Sequence, residues 1–205
     1  MRQTIKLTPP IRAFLLASGL SFALGGCVSV LPELETPNAL YEIQATDLPG
    51  LSLAQNVIVR EPETVRIFAG ESIVTEASGG GLILVPSVEW AGPSTQILQL
   101  ALLDALNSGN GQGIAVTPSA GSRAPYELDW RINDLSLRGD TAICELHLIL
   151  LDGTNRDPVE RFEIRETVSS SKTDGAAKAK ALSEAAEKAV ASAAQQIANR
   201  IGRDA

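Results

Sequence analysis

Two cysteines and one histidine occur among the 205 residues. With a triple glycine and one oxygen-rich turn, they are the groups whose type and setting could support chemistry. Cys27 follows Leu24, Gly25 and Gly26. Small side chains there let the backbone lie extended, as at a cut site, and a thiol is a group that can be modified. His147 sits beside Glu145 in an alternating stretch, but no serine or cysteine nucleophile motif accompanies the pair, so no triad is expected. Cys144 falls on the apolar side of that stretch, where a thiol behaves as a small hydrophobe. Gly79, Gly80 and Gly81 lack the Lys-Ser/Thr or G-x-G-x-x-G context of a phosphate loop; flanked by SIVT and LILV, they read as a hairpin turn. The stretch 151–158, LDGTNRDP, offers oxygens but not a twelve-residue calcium loop, so it too reads as a turn. No catalytic residue, metal site or cofactor is expected.

The flanks of Cys27 give it meaning. Arg2, Lys6 and Arg12 make the start basic, and the stretch from Ala13 to Leu24 carries no charge. A basic start, a short apolar run and small residues before a cut site are the parts of a secretory signal peptide. Twelve residues span about 18 Å as a helix, against a hydrocarbon core of about 30 Å, so a permanent membrane span fits less well. Leu24-Gly25-Gly26-Cys27 resembles a bacterial lipobox, which makes residues 1–26 a lipoprotein signal peptide and Cys27 the lipidated residue. Buried acyl CH₂ groups contribute about 0.8 kcal/mol each, and stable anchoring takes more than one chain. Val28, rather than Asp, follows the cysteine, and by the enterobacterial sorting rule this points to the outer membrane. Residues 28–40, VSVLPELETPNAL, hold two prolines and no periodicity, so 27–40 is read as lipidated cysteine plus tether.

Removal of residues 1–26 leaves 179 residues, enough for one domain with a substantial core. The full chain carries 17 basic and 24 acidic side chains. Because the leader holds three basic residues and no acidic ones, the mature part is the more acidic. Without a basic cluster it is a poor partner for nucleic acid, whose binding depends on neutralising phosphates.

The elements that must carry this anchor-bearing domain follow from periodicity. Residues 41–45 (YEIQA) and 56–62 (NVIVREP) suggest strands, and SIVT and LILV a hairpin. Pro93 and Ser94 open a helix in which Ile97, Leu98, Ala101, Leu102, Ala105 and Leu106 recur at spacings of three and four. GIAV (113–116) suggests a short strand. YELDWRI, TAICELHLILL and ERFEIRETV alternate apolar and polar residues and read as three consecutive strands. An Ala-rich helix follows from about Asp174 to Arg200, with a stripe of Leu182, Ala186, Val190, Ala193, Ile197 and Ile201. The expected fold is α+β: an antiparallel β-meander with helices packed on its apolar face, a two-layer sandwich over residues 41–203. Trp90, Pro93 and Trp130 are expected to be packing anchors.

The lipobox, the tether, the early YEI strand, EWAGPSTQILQLALLDALNSG, YELDWRINDL, AICELHLILLDG and the terminal Ala-rich helix together resemble the ABC-type transport auxiliary lipoprotein family. Trp90, followed by Pro93 and the Leu-rich helix, carries the most specific part of that likeness, and the strand from Tyr126 to Leu135 the next. Glu89 departs from the basic or aromatic residue that often precedes the tryptophan. The resemblance implies a non-enzymatic docking subunit, anchored by Cys27. Its implied partners are an MCE-type (mammalian cell entry) substrate-binding protein and an ABC permease/ATPase complex that moves lipids or other hydrophobic molecules between the two membranes. Alternatives of other classes are a periplasmic lipid-binding carrier with a pocket between sheet and terminal helix, and an outer-membrane assembly lipoprotein.

Overall fold

Thirteen residues of one strand organise the whole domain. The computed structural model describes residues 37, 39–44, 48, 51–171 and 173–203. Its elements are β1 (Ala39–Tyr41), β2 (Val57–Val59), β3 (Glu63–Thr64), α1 (Arg66–Ala69), β4 (Ser72–Glu76), β5 (Leu82–Trp90), α2 (Ser94–Asn107), β6 (Ala115–Val116), β7 (Tyr126–Arg138), β8 (Thr141–Asp152), β9 (Pro158–Ser169) and α3 (Gly175–Gly202). On one side β7 pairs antiparallel with β8, and β8 with β9. On its other side β2, β3 and β4 follow one another along the same edge, all parallel to it. The hairpin partner β5 joins β4 antiparallel, β1 adds to β5 parallel, and β6 adds to β2 parallel.

The nine-stranded sheet is therefore mixed, which corrects the expectation of a wholly antiparallel meander. The three long strands do run antiparallel in succession, but five short ones, β1, β2, β3, β4 and β6, pair parallel. Parallel pairing needs a long crossover. Here β5, α2 and β6 supply it between β4 and β7. The early strand is Ala39–Tyr41, displaced from the expected 41–45. Helix α1 has no counterpart among the expected elements.

Alternation puts Leu128, Trp130 and Ile132 on the inner face of β7, opposite Leu150, Leu148 and Leu146 of β8. The pairing register then slips between Ile132 and Asp134. A bulge inserts one residue and reverses parity, so Leu135 and Leu137 stay inside although the numbering changes from even to odd. The stripe of α3, Leu182, Ala186, Val190, Ala193, Ile197 and Ile201, is fully buried together with Ala185 and Ala189. Alanine lets the helix axis approach the sheet closely, where leucines of β8 fill the gap. Asp174 caps α3 by accepting from Ala177 N at 2.9 Å. Asn107 at the end of α2 bonds both the N–H and the C=O of Ala115, fastening β6.

One close approach was not anticipated. In GNGQG, a Cβ on Gly109, Gly111 or Gly113 would lie 1.4, 2.3 and 2.3 Å from the carbonyl oxygens of Leu51, Leu53 and Gln55. The two segments lie backbone against backbone, tied by Gly113 N to Leu53 O at 2.9 Å. Only glycine fits there.

Candidate functional site

The outer face of β7, β8 and β9 is a ladder of charge. Register places Arg131 beside His147 and Glu163, Asp129 beside Ile149 and Arg161, and Asp134 beside Glu145 and Arg165. A cleft of about 970 Å³ opens on this face, lined among others by Arg60, Arg131, His147, Ile149, Arg156 and Arg161. Opposite charges alternate within it, so the face carries no single-sign field that would select an anion or a cation.

Three carboxylates organise the ladder. Glu127, 7% exposed, accepts from Arg60 and Arg156. Both arginines also reach Asp129, at 3.2 and 2.9 Å. Arg60 follows β2 and Arg156 stands in the β8–β9 turn with φ +63°, so the cluster binds three separate chain segments. Asp134, 5% exposed, accepts from Ser136 Oγ at 2.6 Å and from Arg138 Nη2 at 2.8 Å; its hydrogen bond and charge hold the Arg138 guanidinium above its ordinary pKa. Burial pushes the Glu145 carboxyl upward, but hydrogen bonds from Arg165, Asn133 and His147 outweigh it. The net value lies below the usual glutamate range.

His147 is absorbed by this network. Its Nε2 donates to Glu145 Oε1 at 3.2 Å, and its Nδ1 accepts from Arg131 at 3.3 Å. Both ring nitrogens are engaged in the cross-strand lattice. Cys144 is fully buried on the inner face, and burial raises its thiol pKa, which disfavours the reactive thiolate. In the β8–β9 turn Asp152 Oδ1 accepts from the backbone N–H groups of Thr154 and Asn155 at 2.7 and 3.2 Å. Those bonds lower its pKa and mark an Asx turn. Among the described residues no group of three or more His, Cys, Asp and Glu side chains is placed to hold a metal ion.

The glycine triplet forms the tip of the β4–β5 hairpin. Ala77 N donates to Gly81 O at 2.7 Å and Gly80 N to Ala77 O at 2.9 Å, with Gly80 at φ +82°. Beyond the tip, Ile83 and Leu84 are 51% and 53% exposed.

Of the residues singled out in the sequence, Gly26 and Cys27 lie outside the described residues. Trp90 and Trp130 are 2% and 4% exposed. Trp90 ends β5 opposite Tyr41, and its N–H donates to Glu71 O at 2.6 Å. Pro93 is the N-cap residue of α2, and its carbonyl accepts from Gln96 and Ile97. The next residue, Ser94, donates its hydroxyl to Phe68 O, so the corner ties α1, β5 and α2 together. Trp130 Nε1 donates to Arg60 O at 2.7 Å, joining β7 to the end of β2. Trp90 and Pro93 thus stand at the α1–β5–α2 corner, and Trp130 where β7 meets the end of β2. Sequence reasoning missed the cluster around Glu127. The one signal for it was a glutamate between Tyr126 and Leu128 followed by an aspartate, with its arginines distant in sequence.

Fold and surface together define a two-layer α/β module with a helix-covered core and a charge-paired outer face. The chain belongs to the ABC-type transport auxiliary lipoprotein component family, whose model matches residues 40–198. No curated protein matches it. Among solved structures it is similar to protein XCC0632 from Xanthomonas campestris, assigned to DUF330, with TM-score 0.71 and 21% identity over 81% of this chain and 98% of that one. A second crystal structure, of an uncharacterised protein, matches with TM-score 0.62 and 17% identity over 80% and 99% of the two chains. At these identities the likeness establishes the shared fold. Family membership makes the chain a lipoprotein-type, envelope-associated component of an ABC-type transport system.

Proposed function

We propose that this chain is a non-enzymatic docking subunit, anchored through acylated Cys27. Its partners are an MCE-type substrate-binding protein and the permease and ATPase of an ABC complex, in a system that carries lipids or other hydrophobic molecules between the inner and outer membranes. Residues 1–26 act as the lipoprotein signal peptide, and Val28 favours the outer membrane. A lipid crossing water exposes many CH₂ groups at about 0.8 kcal/mol each, so a continuous protein conduit needs a fixed attachment at its far end.

The observation that carries this reading is the family match over the domain that follows a lipobox-like LGGC. The packing adds support. Helix α3 packs on β8, and Leu182, Val190 and Ile197 of the helix and Leu146, Leu148 and Leu150 of the strand are all buried. The hollow of about 510 Å³ between the start of α3 and the end of β9 has Asp174, Lys180 and Glu184 in its lining, a setting that suits an acyl chain poorly, so the docking role is preferred to a lipid carrier. Purification of the tagged chain from membranes in mild detergent should bring down MCE and ABC components. Recovery of the chain with neither would remove the docking role.

A further inference from the structure

We propose that the β4–β5 hairpin is a second membrane contact, its tip inserting into the bilayer surface to which Cys27 tethers the chain; this rests on the anchoring role proposed above. From Ser72 to Val88 the chain carries one charged side chain, Glu76, in a protein of which 20% is charged. Arg138, bonded to Asp134, lies within electrostatic range of that glutamate. Three glycines turn the chain, and LILVP follows.

Ile83 and Leu84 point to opposite faces of β5, as neighbours in a strand must, yet both are about half exposed. Their partners on β4, Thr75 and Val74, are buried and pair on to β7, so Ile83 and Leu84 stand on the open edge of the sheet, just below the tip, with neither face covered. Val85, one residue further in, is already buried and lies beside Gly175 at the start of α3. Along β5 the edge opposite β4 is taken by β1 at Val88–Trp90, and no other described strand pairs with it. A lipid surface is the occupant this element fits: from Ala77 to Val88 it carries no charge, and its apolar side chains point in both directions.

The tether brings the membrane to this end. β1 runs parallel to β5 with Ala39 opposite Val88, so the chain enters β1 from the side of the hairpin tip. From Val88 back to Leu82 is about 20 Å of strand. From Cys27 to Ala39 the chain reaches at most about 40 Å. The anchor can thus sit level with the tip and still leave slack. A linker this short gives an effective concentration on the order of millimolar, so an insertion too weak to hold the free domain becomes well populated. Burying the exposed halves of Ile83 and Leu84 strengthens partitioning by roughly tenfold each.

The test uses the mature full chain with an environment-sensitive fluorophore on Ser78→Cys, bound to neutral phosphatidylcholine vesicles that carry a bilayer-embedded quencher. The acylated protein should show a blue shift and quenching at the tip. With Ile83→Asp and Leu84→Asp added, the chain should still float with the vesicles while quenching falls to its solution level. A wild type that floats with its tip unquenched overturns the proposal. A blue shift that grows with protein concentration in the absence of vesicles also overturns it, since a second copy would then occupy the tip. If the wild type fails to float, the anchoring role has failed. In that case, attaching position 27 through a histidine tag to nickel-chelating lipid decides the tip contact: quenching upholds it, and its absence overturns it.

Discussion

Glu127→Gln is the perturbation whose consequence the geometry defines best. The carboxylate is nearly buried and accepts from Arg60 and Arg156, which come from the end of β2 and from the β8–β9 turn. Glutamine keeps the shape and one acceptor oxygen but removes the charge. Each hydrogen bond to a charged group is worth about 1.5–3 kcal/mol. Both arginine side chains are about half exposed, however, so water screens the pair and rehydrates the released guanidiniums. Asp129 also retains a claim on both. A net loss of about 2 kcal/mol follows from halving the gross value. For a domain of this size that lowers Tm by about 4–8 °C. The assay is urea unfolding followed by tryptophan fluorescence, which is apt because Trp130 bonds to the carbonyl of Arg60. A double-mutant cycle with Arg156→Met should return a coupling of about 1 kcal/mol. A glutamine variant within about 0.5 kcal/mol of wild type would show that the cluster is a surface ornament and would refute the reasoning.

Acidification should also weaken the fold at Glu145. Its folded pKa is depressed, so its stabilising contribution is full above the unfolded glutamate value of about 4.3 and is lost as pH falls through the lower folded value; urea midpoints between pH 6 and 3 should fall less steeply in Glu145→Gln, and equal slopes would contradict this. Gly111→Ala places a Cβ 2.3 Å from Leu53 O, so the backbones must separate and stability should drop by at least about 1–3 kcal/mol, read as a thermal shift; a neutral change would show that the segments part freely. Asp174→Ala removes the cap of α3 and should cost about 1 kcal/mol in the same assay, with Asp174→Asn retaining most of it. In the native acylated protein no thiol should react with maleimide, because Cys144 is buried and Cys27 is blocked; one reactive thiol would point to an unmodified Cys27.

The long elements were legible because each repeats its period many times. Helix α3 shows its stripe over about five turns, and β7, β8 and β9 alternate over twelve or more residues, so exceptions such as Ile143 and Ile149 do not hide the pattern. The parallel edge was not legible for the opposite reason. Strands β2, β3 and β6 are two or three residues long and contain no period, and their partners lie 50 or more residues away. The bulge at Asn133 changes parity without any local mark, which is how Asp134 and Ser136 come to be buried polar groups on the outer face. Arg60 and Arg156 find Glu127 only after the chain has folded. GNGQG did carry a signal, since glycines at alternate positions of a strand-like segment leave room for another backbone. At the hairpin the triplet was read as a turn, while the exposure of both faces beyond it emerges only in three dimensions.

The docking role and the hairpin contact both depend on position 27 holding the domain at a bilayer. Cells fed radiolabelled palmitate and expressing either the wild type or Cys27→Ser provide the most direct measurement. The account predicts label in the wild-type band and none in the serine variant, which should also keep its leader and run as the larger precursor. Equal labelling of both, or label in neither, would contradict it.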